Sequence, residues 1–515
     1  MGLQAVWFKR DLRVRDHAPL TQAARRGPVL GVYVFEPSLL DKVTTDPSHV
    51  RFILESLTEL RSWVLERGGA FVVRRGEVPE ALDRLWEEHR FEALWSHEET
   101  GDLQTYARDR RVKRWCRAKG LAWTELPQSG VIRGPHDRDA WSKTWHARAT
   151  APPARPPDRL GSGVGPGSSA DPGVELPTLA TLGLPPSTKD EAQTGGEEAG
   201  RATLRSFLNA RGRTYRSDIS SPVTSWDGCS RLSPYLAYGN LSIRQVYQAS
   251  QRRLLELRHR GRSSLSGSGL DSAWMASLTS FESRLRWHCH FIQKLEDEPE
   301  IEVRNVNRAF DGLRTEDPEE WTPEERAHFD AWCRGRTGYP LVDAVMRALH
   351  QGGWINFRMR AMLVSFAAHH LWLHWLPLAR YLARHFIDYE PGIHFSQFQM
   401  QSGTTGINAL RIYNPIKQAH DQDPEGRFIR AFVPELAQVP DAHVAEPHLM
   451  PSSLQSEVGC RIGVDYPAPI VDHATAYRRA QSRHHAWRKR PDVRRAAGAV
   501  LQRHGSRRRP RRPIG

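Results

Sequence analysis

The sequence predicts an α/β N-terminal domain with a parallel, Rossmann-like sheet and a mostly α-helical C-terminal domain. Up to about residue 135, apolar β-rich runs alternate with amphipathic segments. From 151 to 200, Pro and Gly supply 18 of 50 positions, which is typical of irregular chain. From 201 to about 490, apolar residues recur at helical spacing. We therefore expect domains at 1–135 and 201–490, joined by a linker at 136–200.

The predicted alternation of strands and helices can be followed element by element. Strands are predicted at five apolar runs: AVWF near Val6, VLGVYVF at 29–35, AFVVRR near Phe71, ALWSHEE near Leu94 and LAWTELP near Trp123. The segments after Arg51 and Thr105 carry helical spacing and end in glycine, as helix C-termini often do. No GxGxxG or GxxxxGK[ST] motif occurs here, so neither a dinucleotide fingerprint nor a P-loop is indicated.

The positive charge of the 515-residue chain lies at its C-terminal end. The formal net charge is +14, and +13 of it falls in residues 478–515, which hold 14 Lys or Arg and one acid, Asp492. Residues 491–515 are therefore predicted to be a basic, disordered tail. The remaining body is nearly neutral, so any contact with DNA must use a local patch.

Composition also bounds the cellular setting. The chain is 39% hydrophobic and 26% charged, a globular balance, and no run approaches the ~20 apolar residues of a membrane helix. The five cysteines lie far apart with no CxxC pair, which argues against a disulfide framework, a zinc site or an iron–sulfur cluster. We expect a cytoplasmic protein with no membrane association.

Three segments of the helical domain mix aromatic and polar residues. DGCSRLSPYLAYGNLS, from Asp227, offers the hydroxyls and free N–H groups that hold an anion at a helix N-terminus, although an ordinary Ser-capped helix has the same pattern. RLRWHCHFIQKLE, from Arg284, places aromatic and basic residues along one side of a helix, which suits either stacking of a planar ligand or core packing. In the third segment, Arg360 and the downstream Asp388 and Glu390 are positioned for a buried ion pair.

These residues resemble the photolyase/cryptochrome flavoproteins over nearly the whole chain. VWFKRDLRVRDHAPL is similar to the family's opening strand and turn, and CSRLSPYLAYGNLS to its flavin-phosphate segment. TGYPLVDAVMRAL, RIYNPIKQ and GRFIRAFVPEL are similar to its core signatures. The resemblance implies an antenna-type first domain and a helical second domain that binds FAD non-covalently.

Carried over by position, the resemblance assigns roles to individual residues. Tyr215 and the run Cys229, Ser230, Arg231, Leu232, Ser233 match flavin-phosphate contacts, with Cys229 where Thr is usual. Arg360 and Asp388 match a salt bridge beside the flavin ring, and His288, Glu390 and His394 match further cofactor contacts. Trp287 matches the wall of a cavity that receives a flipped-out lesion. Trp375 matches the middle member of an electron-transfer relay.

Several positions depart from the family pattern. Arg284 stands where a lesion-binding Glu is usual, and Met400 where a Trp forms the opposite cavity wall. His394 replaces the Asn that faces flavin N5, and Asn356 with Phe357 replaces a His-Asn pair. Phe398 replaces the flavin-proximal relay Trp, and only Trp321 lies near the surface relay position. We therefore expect a remodelled lesion cavity, with Trp287, Arg284, His394 and Met400 around the reaction, and a broken relay.

Partners and further cofactors are less defined. Gln104 and Thr105 replace residues that hold a folate in some photolyases, so a second antenna chromophore is possible but of unknown identity. His369 and His370 form one pair, and His370 and His374 form another at helical spacing, but neither pair has a third ligand at recognisable spacing, so we expect no metal. Monomers are expected, with DNA that contains UV photoproducts as the partner.

The resemblance implies a deoxyribodipyrimidine photo-lyase, a carbon–carbon lyase that splits UV-induced pyrimidine dimers by electron transfer from excited, reduced flavin. Two alternatives stay open. One is a cryptochrome-like blue-light receptor of the same fold without repair activity, and the other is a DNA-binding flavoprotein without turnover. Arg284 itself either meets the lesion, pairs with a phosphate, or pairs with Glu282 on the helix surface.

Overall fold

A parallel five-stranded sheet organises the N-terminal domain. The computed structural model describes residues 2–161, 175–263 and 269–505. The strands are β1 Gln4–Trp7, β2 Val29–Phe35, β3 Ala70–Arg75, β4 Ala93–His97 and β5 Ala122–Leu126. All pairings are parallel and the strand order is β3-β2-β1-β4-β5, so the connection reverses direction between β1 and β4. The predicted sheet is thereby confirmed.

Helices cover both faces of this sheet, as parallel crossovers require. They are α1 Ala18–Ala24, α2 Pro37–Leu40, α3 Pro47–Glu66, α4 Val78–His89 and α5 Leu103–Lys119. Asp46 and Asp102 begin α3 and α5 with capping boxes, and Gly120 ends α5 in the left-handed conformation at φ 68°. Both helices end just before the predicted glycines, Gly68 and Gly120, but they begin earlier than predicted, at Pro47 and Leu103.

Charged residues fill the carboxyl edge of the sheet. The Arg108 guanidinium donates to Glu36 (2.9 Å), Glu99 (2.5 Å) and Asp109 (2.9 Å), and Lys9 pairs with Asp109 at 3.0 Å. All five side chains are buried, so the cost of removing each charge from water must be offset by the ion pairs and hydrogen bonds that it makes.

Asp11 forms a second buried group that the sequence reading missed. Its Oδ2 lies 2.9 Å from His17 Nε2 and 2.7 Å from His97 Nδ1, and all three side chains are buried. His17 Nδ1 accepts the Leu20 N–H, which leaves the ring proton on Nε2 to be donated to Asp11. Hydrogen bonding alone accounts for this cluster, which fixes the loop after β1.

The predicted linker at 136–200 needs a correction at its start. Residues Trp141–Thr150 form helix α6, on which Trp141 and Trp145 are buried. Trp141 Nε1 donates to Gln293 at 3.1 Å. Trp141, Trp145 and Ala149 share one helix face, while the Pro/Gly-rich composition begins only at 151. Residues 162–174 lie outside the described residues.

The second domain is mostly helical, as predicted. Its α-helices are α7 Glu197–Asn209, α8 Tyr215–Asp218, α9 Ser225–Gly228, α10 Ser233–Ala237, α11 Ile243–Ser263, α12 Gly269–Asp297, α13 Pro323–Cys333, α14 Pro340–Gly352, α15 Phe357–Ser365, α16 Trp375–His385, α17 Pro391–Gln401, α18 Pro415–Gln422, α19 Arg427–Phe432, α20 Asp441–Val444, α21 Ser452–Glu457, α22 His473–Lys489 and α23 Pro491–His504. Short 3-10 turns lie at Arg211–Thr214, Pro299–Glu302, Arg308–Phe310, Pro318–Glu320, Pro434–Leu436 and Pro447–Leu449, with a π-helix at Phe366–His370.

The prediction of a disordered tail from residue 491 is wrong for its first part. Helix α23 continues to His504, buries Val493 and Val500, and ties His504 Nε2 to Glu298 at 2.6 Å. The prediction used only the net charge of the tail. It did not take into account these two valines, which lie two helical turns apart on one face. Residues 506–515 lie outside the described residues.

The two domains share a continuous apolar core. Phe52 of α3 packs against Tyr235 and Tyr238 of the helical domain, with ring centroids 5.6 and 4.9 Å apart. Lys189, between the domains, is 1% exposed, and its Nζ lies 2.7 Å from Asp46 Oδ1. Among the described helices, none is both long and apolar enough to cross a membrane.

The buried Lys189–Asp46 pair generates a stability prediction. Lys189→Met leaves a largely buried carboxylate without its main cation, so we expect the free energy of unfolding to fall by about 3 kcal/mol in urea denaturation. Lys417→Met is the control, since its pair with Asp421 is exposed and should contribute about 0.5 kcal/mol or less. Equal losses in the two variants would contradict the role of burial.

Candidate functional site

A single large cavity in the helical domain collects most of the predicted site residues. It has a volume of about 1510 Å³ including its open mouth, and we call it the main cavity. Its walls come from the segment before α10 and from α12, α15 and α17. Thirteen predicted residues line it: Tyr215, Cys229, Ser230, Arg231, Leu232, Ser233, Arg284, Trp287, His288, Arg360, Asp388, Glu390 and His394. Their individual roles toward a cofactor stay predictions.

Arg231 places a cation in the wall of the main cavity. Arg231 adopts the left-handed conformation at φ 58°, and its guanidinium lies 4.0 Å from the Trp354 ring and 4.6 Å from the Trp226 ring. Burial lowers its pKa to about 10, which still leaves it charged at neutral pH. Its Nε donates to Gln193 Oε1 at 3.1 Å, and the nearby Asp388 carboxylate opposes the fall in its pKa. Ser230 and Ser233 line the same cavity, so this part of the wall suits a phosphate.

The predicted Arg360–Asp388 ion pair forms with bidentate geometry. Arg360 Nη1 and Nη2 lie 2.9 and 2.8 Å from the two Asp388 oxygens. Arg360 Nε donates to the Ile355 carbonyl at 2.9 Å, and the guanidinium covers the Phe386 ring at 4.1 Å. The pair thus joins α15 to the segment that precedes α17.

Glu390 is held by a residue from the other domain. Arg10, in the loop after β1, places Nη2 3.5 Å from Glu390 Oε2 and donates to the Tyr389 carbonyl at 2.6 Å. Burial raises the pKa of Glu390 to about 7, and Arg10 opposes that rise. The sequence analysis did not predict a role for Arg10. The residue lies in the polar KRDLR run, but a local run of polar residues does not indicate which distant residue each side chain contacts.

His394 is neutral near pH 7. Burial lowers its pKa to about 4. Its Nε2 donates to the Ala379 carbonyl at 2.8 Å, which leaves Nδ1 as an acceptor, and its ring packs on Phe398 at 4.5 Å. Since the ring is uncharged, it offers hydrogen bonding and packing to a ligand but no positive charge.

The mouth of the main cavity is aromatic and cationic. Trp287 is 46% exposed and Phe357 is 42% exposed, unusual values for large apolar side chains. The Arg284 guanidinium lies 4.5 Å from the Trp287 ring and 5.8 Å from the Phe357 ring. The alternative pairing with Glu282 is not formed, since Glu282 Oε2 accepts instead from Gln251 at 2.7 Å. Arg284 therefore belongs to the cavity mouth.

Two predicted residues do not line the main cavity. Gln397 and Gln401 lie on the same face of α17 as His394 and line the wall. Met400 lies on a different face of this helix and is not part of the wall. Trp375 is fully buried behind Phe395, with ring centroids 6.4 Å apart, and donates to Asn305.

Several other predicted residues have local roles. Trp321 is only 4% exposed, so it does not form a surface relay position. Thr105 completes the capping box of α5, and Gln104 donates to the Ser38 carbonyl at 2.8 Å. A second chromophore stays a prediction.

The three histidines considered for a metal each have another partner. His369 Nε2 donates to the Gln401 carbonyl at 2.9 Å, and His374 Nδ1 accepts the Leu376 N–H. His370 Nε2 lies 2.9 Å from His473 Nδ1. These contacts are structural, and the three rings are not brought together as one ligand set among the described residues.

Comparison with known proteins identifies the family. Residues 4–138 match the family model described as DNA photolyase, and residues 281–486 match the FAD binding domain of DNA photolyase. The chain is 30% identical to a protein named cryptochrome DASH from Gloeobacter violaceus, with 94% of this chain and 97% of that one covered. It is 32% identical to a deoxyribodipyrimidine photo-lyase from Thermus thermophilus, with 84% and 93% covered.

A solved structure extends the comparison to the fold. The crystal structure of a bacterial class III photolyase from Agrobacterium tumefaciens superposes with a TM-score of 0.79 at 27% identity, covering 95% of this chain and 98% of that one. The chain belongs to the photolyase/cryptochrome family. Its helical part contains that family's FAD-binding domain.

The residues of the main cavity fit FAD. The Arg231 cation and the serine hydroxyls suit the diphosphate, while the polar Arg360–Asp388 pair and Asn356 suit the edge of the flavin ring. These residues would hold the cofactor, and Tyr215 and Trp354 supply apolar walls.

Removing Arg360 tests this fit. Arg360→Ala leaves Asp388 buried and uncompensated, so we expect FAD affinity to fall about tenfold or more, measured by flavin retention on dialysis and by titration of apoprotein. Arg358→Ala is the control, because Arg358 lies on the same helix but not in the cavity wall. Retention that is equal in both variants would contradict the assignment.

A second test concerns electron delivery to the cavity. Phe398 and Phe395 are hard to oxidise, whereas Tyr389 lines the cavity and lies 6.3 Å from Phe395. Trp372, the other candidate, is flanked by Arg314 at 4.4 Å and Arg483 at 4.9 Å, and these cations disfavour an oxidised ring.

We expect slow photoreduction of bound flavin by an external thiol, slowed further by Tyr389→Phe. Transient absorption measures the rate. Trp375→Phe is the comparison, and a fast wild-type rate that collapses in that variant would show the relay to be intact.

Proposed function

We propose that the protein is an FAD-dependent, blue-light-driven photolyase that repairs UV-induced pyrimidine dimers in DNA. The observation that carries this proposal is the mouth of the main cavity, where the exposed rings of Trp287 and Phe357 and the half-buried Arg284 line the same cavity as the residues that fit FAD. Exposed aromatic faces beside a cation are the surface on which an unstacked base can rest.

Each part of the cavity then has a role in the reaction. When bound in the main cavity in its reduced form, FAD would supply the light-driven one-electron chemistry that opening the cyclobutane ring of the dimer requires. Trp287 and Phe357 stack against the flipped bases. The buried walls exclude water, which strengthens every electrostatic interaction inside the cavity.

Arg284 is positioned to stabilise the electron-rich dimer. The family pattern has a Glu carboxyl group at this position, whereas this chain has the Arg284 guanidinium at the cavity mouth. Negative charge that develops on a neutral dimer is stabilised by a fixed cation in a water-poor site. The same cation can also hold a DNA phosphate, and the experiment below separates the two roles.

A cryptochrome-like light receptor is the second candidate. The replaced positions Arg284, Met400 and Phe398 favour it, because they remove the usual lesion contacts and the proximal relay residue. A relative of similar length is named a cryptochrome. Illumination of dimer-containing DNA with the reduced holoprotein separates the two, since a receptor splits no dimers.

Arg284→Ala tests the electrostatic role. We expect the repair yield per absorbed photon to fall by about tenfold, with flavin content and damaged-DNA affinity nearly unchanged. Arg286→Ala is the matched control, because Arg286 lies on the same helix but packs on Trp145, 5.2 Å from its ring, outside the cavity. A loss of DNA affinity with unchanged yield would assign Arg284 to phosphate binding instead.

A further inference from the structure

A second, smaller cavity lies between the two domains and meets the main cavity. We call it the interdomain cavity, and its volume is about 620 Å³ including its opening. Its polar lining comes mostly from the N-terminal domain: Lys9, Glu98, Glu99, Thr100, Gln128 and Ser129. Glu98 and Thr100 are half-buried, so this lining reaches solvent.

Four residues, Leu236, Ala237, His288 and Glu390, line both cavities, and of these only His288 and Glu390 have titratable side chains. They form the wall between the polar interdomain cavity and the main cavity, whose lining is mostly apolar. A side chain that faces a solvent-connected cavity on one side and a redox cofactor on the other is placed to carry protons between them. Only a group that exchanges a proton near neutral pH can perform this task.

The charges around Glu390 allow that exchange. Arg10 faces it from the loop after β1, Glu99 from the loop after β4 and Asp102 from the start of α5, while the Gly392 N–H approaches from its own helix. Burial raises the pKa of Glu390 to about 7, helped by the two acids and opposed by Arg10 and the N–H group.

His288, the other titratable residue of the shared wall, cannot take this role. Burial and the nearby Arg10 lower the pKa of His288 to about 4, so the ring carries no exchangeable extra proton at neutral pH. Glu390 is therefore the titratable group of the shared wall near pH 7.

We propose that Glu390 is a proton-relay residue that passes protons from the interdomain cavity to a reduced flavin in the main cavity. The proposal rests on flavin binding in that cavity and does not depend on dimer repair. An electron from an external reductant such as dithionite adds negative charge beside Glu390. The protonated Glu390 carboxyl then gives its proton into the main cavity, and buffer reprotonates it through the interdomain cavity, so one proton accompanies one electron.

The experiment follows proton uptake by the FAD-loaded protein. The holoprotein is mixed with dithionite in weak buffer, and a pH-indicator dye reports proton uptake while flavin absorbance reports electron arrival. We expect Glu390→Gln to slow proton uptake about tenfold or more relative to electron arrival, with both signals taken per bound flavin in the same sample.

Glu282→Gln is the matched control. Glu282 lies on the same helix as His288, is partly buried, and lines neither cavity. Its loss should leave proton uptake unchanged. Uptake in Glu390→Gln at the wild-type rate would overturn the relay.

A second variant keeps the proposal testable if Glu390→Gln fails to fold or to hold flavin. Arg10 lowers the pKa of Glu390, so Arg10→Gln should raise that pKa. Because the relay needs a protonated donor, the uptake rate falls as pH rises through this pKa, and its midpoint should move to higher pH in Arg10→Gln. A midpoint that does not move would overturn the proposal. A wild-type protein without flavin absorbance would instead refute the cofactor assignment on which the proposal rests.

Discussion

The bidentate contact between Arg360 and Asp388 is the interaction on which the functional part of the structure depends. It joins α15 to the segment before α17, and these two elements supply much of the wall of the main cavity. Such a contact is stable in a buried setting only because both carboxylate oxygens and Arg360 Nε find partners. Asp388 also fixes its neighbours in sequence, so the position of Glu390 follows from the same pair.

The N-terminal domain acts on this segment through Arg10. Its guanidinium crosses the domain boundary to the Tyr389 carbonyl and to Glu390, and its Nε also donates to the Ala237 carbonyl at 2.8 Å. The first domain therefore sets the electrostatics of the cavity in the second. The shared apolar core and the buried Lys189–Asp46 pair hold the domains in the register that this contact needs.

The cavity mouth and the cavity interior follow different physical rules. Inside, burial raises the pKa of Glu390 to about 7 and lowers that of His394 to about 4, so both are uncharged between those two values. At the mouth, the Arg284 guanidinium lies close to the exposed rings of Trp287 and Phe357. This division suits a reaction in which an electron moves within a dry interior while a charged, stacked ligand is held at the rim.

The sequence by itself determined the fold class, the five strands, the helical second domain and the family, because apolar periodicity and ordered motifs are local properties of the chain. It also predicted the Arg360–Asp388 pair. Only the tertiary structure showed that Arg10 contacts Glu390 and that Arg284 stacks on Trp287 and not on the side of Glu282. It also showed that Met400 does not line the main cavity and that α23 has a buried face. These features depend on which distant groups meet and on how much water their meeting excludes, and no local pattern specifies either.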